Sequence, residues 1–235
     1  MQKAKRGRSA LPHLSGRRVG GKATQRGRAG TERNLTLETM VTTQTEALLL
    51  LDLQNEMVDP QGKIGAGGLA AVVEQRNVLA NAARALDTAR RKGVPVVFVR
   101  LGFRADYADA LSVAPRIERL KANKAAILGT WGTEFPEAVA PREDELIVTK
   151  QCVNPFYNTG LLNWLLARGV GKVVIGGVVT NLVVESTARA ADDAGLAVTV
   201  LEDVCAAPNP EWHRFSVENI LPMFATISDS KAFAG

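Results

Sequence analysis

Residues Lys172–Glu202 read KVVIGGVVTNLVVESTARAADDAGLAVTVLE, and the order of patterns inside this stretch decides the fold. Lys172–Gly177 is a short apolar run with little polar alternation, the pattern of a strand buried on both faces of a parallel sheet. An alanine-rich helical segment follows over Asn181–Ala194 and stops at Gly195. Ala197–Glu202 is a second β-type run. Strand, helix and strand over roughly 30 residues make one crossover unit, joined right-handedly.

The same alternation extends in both directions. Ala47–Leu53, Val94–Arg100, Glu145–Lys150 and Met223–Ser228 are further β-type runs. Pro95 is tolerable because it sits at the start of its strand. Helical patterns are expected over Leu69–Lys92, with Val72, Val73, Leu79, Ala83 and Leu86 near one face, over Thr159–Arg168, and over Pro210–Ile220. Six strands alternating with helices predict an α/β protein with helices on both faces of a parallel sheet. Residues 101–144 break the alternation with GFRADYADA, a basic segment ending at Lys124, and GTWGTEFPE. A connection this long is usually functional, as a lid or binding loop, or else a surface excursion with a short helix.

The chain has 235 residues and is 46% apolar, which fits one domain plus a tail. The domain is expected over residues 45–235 and a disordered basic tail over 1–44. Residues 1–40 hold ten basic and two acidic residues and carry +8; the remainder, with 19 basic and 22 acidic, carries −3. The basic pI therefore belongs to the tail. Three readings of the tail stay open: an arm touching nucleic acid or other anions weakly, an Arg-rich targeting segment, or a stretch upstream of a natural start at Met40. No apolar run approaches the roughly 20 residues that span a bilayer, and no secretory signal pattern is present, so no membrane partner is expected. Cys152 and Cys205 are the only thiols. Two isolated cysteines point to a reducing, cytoplasmic setting, and two histidines, His13 and His213, nearly exclude a histidine-rich metal site.

In open parallel sheets, ligands bind outside the carboxyl ends of the strands. Three strand ends here carry unusual chemistry. Asp52 follows five apolar residues, Lys150 closes ELIVTK, and GGVVT at residues 176–180 leads straight into a helix. An acid and an amine at neighbouring strand tips predict a buried ion pair able to hold a proton-transfer group. The GGVVT spacing fits neither a Walker loop nor GxGxxG, so no nucleotide cofactor is expected.

Together, LLLLDLQNEMVDP, VTKQCVNPFYNTGL and GGVVTNLVVESTARAADDAGLAVTVLED resemble the isochorismatase-like family of cysteine hydrolases over residues 45–230. The resemblance implies a three-layer α/β/α sandwich around a six-stranded parallel sheet of Rossmann-type order, assembled as a homodimer or homotetramer and acting on a small molecule. It places the family's catalytic Asp and Lys at Asp52 and Lys150, and its cysteine at Val183, the third residue after Thr180. It further implies a non-proline cis peptide between Val178 and Val179, with the N–H groups of Val179 and Val183 aimed at an oxyanion position. The zinc ligands of nicotinamidases have no counterpart, and no cofactor is implied.

Valine carries no lone pair, so no acyl-enzyme forms through residue 183. Three readings follow: acid–base chemistry by Asp52 alone, water activated by Asp52 and Lys150 against an amide or imide carbonyl, or a catalytically silent ligand-binding protein. The first requires burial to raise the Asp52 pKa against the opposing pull of Lys150. Both cysteines are expected to be small buried apolar residues. Phe103, Trp131, Phe156 and Tyr157 are candidates for an aromatic substrate wall, with Asn181 beside them. Arg100 or Arg104 is the candidate for holding an anionic group, and His213 is expected to be a partly exposed packing or capping residue.

Overall fold

The computed structural model describes residues 45–235; the expected tail lies outside the described residues. The strands are β1 (Thr45–Leu51), β2 (Val96–Leu101), β3 (Leu146–Lys150), β4 (Val170–Gly177), β5 (Ala197–Leu201) and β6 (Thr226–Ser228). The helices are α1 (Asn55–Val58), α2 (Leu69–Gln75), α3 (Val78–Lys92), α4 (Pro115–Ala122), α5 (Leu161–Leu166), α6 (Glu185–Asp193), α7 (Pro210–Phe215) and α8 (Ser230–Ala234). All six strands are parallel, in the order β3-β2-β1-β4-β5-β6.

Central strand β1 shows why an unbroken Leu run belongs here. Successive side chains point to opposite faces, so Leu48 and Leu50 join one core cluster and Ala47, Leu49 and Leu51 the other. The first cluster contains the apolar faces of α2 and α3, and the second those of α5 and α6. The result is the expected three-layer sandwich. Chain order reverses about β1, between β2 and β4, and this switch point is where such sheets open a crevice for ligands.

Four elements differ from the sequence pattern. The single helix expected over Leu69–Lys92 is two, α2 and α3, because Asn77 takes a left-handed conformation with φ 53°, one that Asn tolerates better than most residues. Asn81 then bonds back to the Asp203 carbonyl at 2.9 Å. The helix expected from Asn181 opens as a π-turn over Thr180–Val184 before α6 begins. The helix expected over Pro210–Ile220 is α7 followed by a second π-turn, Ser216–Ile220. Strand β6 starts only at Thr226, since Leu221–Met223 form a 3-10 turn around Pro222. The irregular stretch between β2 and β3 contains α4 and two 3-10 turns.

Candidate active site

The strand ends place the site. Asp52 follows β1 directly with φ 55°, and its N–H donates to the Val99 carbonyl at 2.8 Å. Lys150 closes β3. The two strands are not neighbours as the sequence reading had them, because β2 runs between them. Two strand spacings are about 10 Å, and the long lysine stem crosses the end of β2 to reach the acid. Lys150 Nζ donates to Asp52 Oδ2 at 2.8 Å and to the Cys152 carbonyl at 3.1 Å. Both side chains are buried, at 3% and 2% exposure. Asp52 Oδ1 has no hydrogen-bond partner among the described residues. Burial pushes the Asp52 carboxyl above its ordinary pKa, against the charge and hydrogen bond of Lys150, which pull it down.

The turn after β4 forms the opposite wall. Gly177 has φ 146°, and a Cβ there would lie 2.0 Å from the Leu51 carbonyl oxygen. Only glycine lets β4 pass this close to the end of β1. The Val178–Val179 peptide is cis. Val178 N–H bonds to the Leu51 carbonyl at 3.0 Å and Thr180 N–H to that of Ala206 at 2.9 Å, while Val179 N–H finds no backbone acceptor among the described residues. Val183 sits in the π-turn, 2% exposed. Asp52, Lys150, Val178, Val179 and Val183 all line one cavity of 430 Å³, within the range of small-molecule sites.

Two polar side chains frame this cavity, and the sequence reading passed over both. Gln54 clamps the end of β2: its Nε2 donates to the Leu101 carbonyl at 2.9 Å and its Oε1 accepts from Leu101 N–H at 2.7 Å. Glu56, 3% exposed, accepts from Lys63 N–H at 2.7 Å and Ala126 N–H at 2.8 Å, tying two loops together. Their signal was present in LDLQNEMVDP, where polar residues directly follow a buried strand and need partners.

A relay braces the turn from behind. Thr180 Oγ1 lies 2.8 Å from His213 Nδ1, and His213 Nε2 lies 3.0 Å from Glu202 Oε1. The Arg76 guanidinium pairs with the same carboxylate and donates through Nε to the Cys205 carbonyl at 3.0 Å. The hydrogen bond to His213 is the largest influence on Glu202; with Arg76, and against the effect of burial, it brings the Glu202 pKa down to about 2. His213 is thus buried and bonded, not partly exposed. A larger cavity of 610 Å³ adjoins this relay. Its Arg76, Glu202 and His213 are already paired, and Asp52 and Lys150 line the smaller cavity instead.

Several expected substrate contacts are absent from the cavity wall. Phe103 is fully buried and packs on Tyr107 with ring centroids 5.4 Å apart. Phe156 packs against the opposite core cluster. Trp131 and Tyr157 face solvent, at 46% and 63% exposure. Asn181 is half-buried and lies off the cavity. Arg100 is held by Thr149 Oγ1 at 3.0 Å and the Thr133 carbonyl at 3.3 Å, and Arg104 pairs with Asp106. The actual wall is largely aliphatic, including Met57, Ile64, Leu101 and Leu120. The cysteines separate as well. Cys205 is fully buried, its thiol pushed up to about 12 by burial. Cys152 is half-buried and lines the cavity; its thiol is raised by burial and donates to the Asn154 carbonyl at 3.2 Å.

A parallel sheet in this order, with a ligand-sized crevice at its switch point, defines a doubly wound α/β domain with a buried acid–amine pair. Residues 46–232 match the Isochorismatase domain, and the chain belongs to the isochorismatase family. It is 33% identical over 187 residues to the isochorismatase family protein YecD of Escherichia coli O157:H7, covering 78% of this chain and 92% of that protein. It is 28% identical over 222 residues to the ureidoacrylate amidohydrolase RutB of Acinetobacter baylyi, covering 88% and 90%. Among solved structures, an isochorismatase family protein from Desulfovibrio vulgaris superposes with a TM-score of 0.71 at 25% identity, covering 80% of this chain and 96% of that one. Among the described residues, no helix is long and apolar enough to cross a membrane.

Proposed function

We propose that the chain hydrolyses a small amide, imide or vinyl-ether substrate through Asp52 and Lys150, with no cysteine nucleophile. The observation that carries this reading is the arrangement of Asp52: one carboxylate oxygen is held by Lys150 and the other makes no regular hydrogen bond among the described residues, in a cavity whose walls include Val183. A carboxyl raised above its ordinary range by burial is better suited to give and take a proton than a solvated one. For an amide, water adds to the carbonyl carbon and its proton passes to Asp52. The same proton then goes to the departing nitrogen as the C–N bond breaks. Val179 N–H, lacking a backbone acceptor, is the candidate donor to the developing oxyanion. For a vinyl ether, protonated Asp52 delivers its proton to the alkene carbon, water adds to the resulting cation and returns one proton to Asp52, and the hemiketal collapses to a carbonyl and an alcohol. Likeness to a ureidoacrylate amidohydrolase supports the amide route.

Thiol substitution is a cleaner test than alkylation. Cys152 faces the cavity, so an alkylated Cys152 would block substrate whether or not it takes part. The expected result on an amide and vinyl-ether panel is activity in wild type that survives Cys152→Ala and Cys205→Ala and is lost in Asp52→Asn. Activity lost with Cys152→Ala would revive a thiol mechanism. A panel blank for wild type and for Val183→Cys would favour a catalytically silent ligand-binding protein, the reading that valine at position 183 itself suggests.

A further inference from the structure

Strand β1 stops pairing with β2 before β2 itself ends. Along the shared ladder, Leu48 N–H donates to the Pro95 carbonyl at 2.9 Å and Asp52 N–H to that of Val99 at 2.8 Å. In a parallel pair the main-chain bonds recur at every second residue. One step further, the residue 54 N–H would meet the Leu101 carbonyl, and the residue 52 carbonyl the Leu101 N–H. The main chain does not take that step, because Asp52 leaves the extended conformation at φ 55°. The Gln54 side chain fills both vacated places: Nε2 donates to the Leu101 carbonyl at 2.9 Å and Oε1 accepts from Leu101 N–H at 2.7 Å. Nε2 also donates to the Gly132 carbonyl at 3.3 Å, so two carbonyls on one side and an N–H on the other fix which way round the amide lies. Gln54 is fully buried.

The same Leu101 N–H acts on Asp52. Burial is the largest influence on that carboxyl and raises its pKa; the charge and hydrogen bond of Lys150 pull it down, and the Leu101 N–H pulls the same way. Asp52 Oδ1 is buried and makes no regular hydrogen bond among the described residues. Two acceptors thus compete for one N–H, and Gln54 Oε1 has it. Leu101 also stands opposite Lys150 in the β2–β3 register and lines the cavity, so Gln54 holds the strand end that the lysine stem crosses.

We propose that Gln54 is a positioning residue for Asp52: its amide takes the ladder place that β1 gives up and keeps the Leu101 N–H occupied, leaving Asp52 Oδ1 free for proton transfer. This rests on Asp52 being the proton-transfer group, but its test does not need turnover. The readout is the titration of the Asp52 side-chain carboxyl by carbon-13 NMR, assigned by its loss in Asp52→Asn. Gln54→Met keeps the length and removes the acceptor. The Leu101 N–H then turns to Asp52 and stabilises its charged form, and the titration midpoint should fall by about one pH unit. Gln54→Glu, buried and protonated, offers Leu101 the same acceptor and one donor and should show no fall. In wild type the Leu101 amide shift should stay flat across the Asp52 titration, whereas in Gln54→Met it should follow it. A clamp with no part in tuning Asp52 predicts lower stability in Gln54→Met with an unchanged midpoint, and that result would overturn the proposal. So would an equal fall in Gln54→Glu, or a wild-type Leu101 amide that tracks Asp52; this last measurement decides even where Gln54→Met does not fold. The expected titrations with a blank hydrolysis panel would sink only the proposed reaction. Hydrolysis that depends on Asp52, with an unchanged midpoint in Gln54→Met, would sink only the positioning role.

Discussion

Replacing Lys150 by Met keeps most of the stem that crosses β2 and removes only the ammonium. Asp52 is then left at 3% exposure with no cation beside it. Breaking a buried pair from one side costs about 3–5 kcal/mol, because the stranded charge keeps its desolvation penalty. For a domain of this size that is a fall in Tm of roughly 10 °C. The acid can reduce the loss by taking a proton. Its folded pKa already lies above the unfolded value because burial wins, and without Lys150 it rises further. A carboxyl with a raised folded pKa contributes stability that is fully present below its unfolded pKa, about 3.9, and is lost as pH rises through the folded pKa. Lys150→Met should therefore lose more stability as pH rises and recover toward wild type as pH falls. Urea unfolding at pH 5 and pH 8 measures this, and Asp52→Asn/Lys150→Met should remove most of the pH dependence. A Lys150→Met penalty that is equal at the two pH values, or unchanged in the double variant, would refute the argument that the ammonium offsets a buried negative charge.

Three further outcomes are expected. Gly177→Ala places a Cβ 2.0 Å from the Leu51 carbonyl oxygen at φ 146° and should cost about 2–4 kcal/mol by thermal or urea unfolding, against under 1 kcal/mol at a tolerant glycine. Glu56→Ala strands the buried Ala126 N–H and the Lys63 N–H; at about 1–3 kcal/mol per buried group, stability should fall and amide exchange should quicken at both positions. Glu202, held down to about 2 chiefly by His213, contributes stability that is present above its unfolded pKa and lost as pH falls toward 2. Glu202→Gln should flatten the fall in urea midpoint between about pH 4 and pH 2, and an unchanged acid limb would mean that the relay holds no net charge-linked stability.

The sheet was legible because its strands are near-continuous Val, Ile and Leu runs whose period needs no tertiary information. Asp52 and Lys150 were legible as polar residues ending such runs. Strand order was harder to read. Neighbouring tips seemed the natural geometry for an ion pair, yet β2 separates them, and the pair exists only because lysine is long. The helix breaks were hidden because the residues flanking Asn77, Arg76 and Asn81, bond to the β5 end, and Thr180 in its π-turn bonds to His213, contacts that no local window contains. The aromatic wall failed for a related reason. Phe103 and Phe156 are ordinary core residues here, and composition cannot say which side of a loop faces a cavity. Within the basic segment ending at Lys124, which charges line the cavity depends on how α4 is placed, and no local window contains that.

Those supports explain how position 183 can carry valine without loss of the cavity. The turn before it is fixed by Gly177 against Leu51, by Thr180 N–H to Ala206, and by Thr180 Oγ1 to His213 and on to Glu202 and Arg76. None of these contacts uses the side chain of residue 183. Val183 itself packs with Leu51, Val184 and Ala188 in the same cluster, and Thr187 Oγ1 bonds its carbonyl at 2.6 Å. Its apolar side chain therefore serves the core, while main-chain groups shape the wall. A polar side chain there would add chemistry to a frame that already stands, whereas losing Gly177 or His213 would move the frame. Mutational sensitivity of geometry should accordingly concentrate at Gly177, Thr180 and His213, and sensitivity of reaction chemistry at Asp52, Lys150 and residue 183.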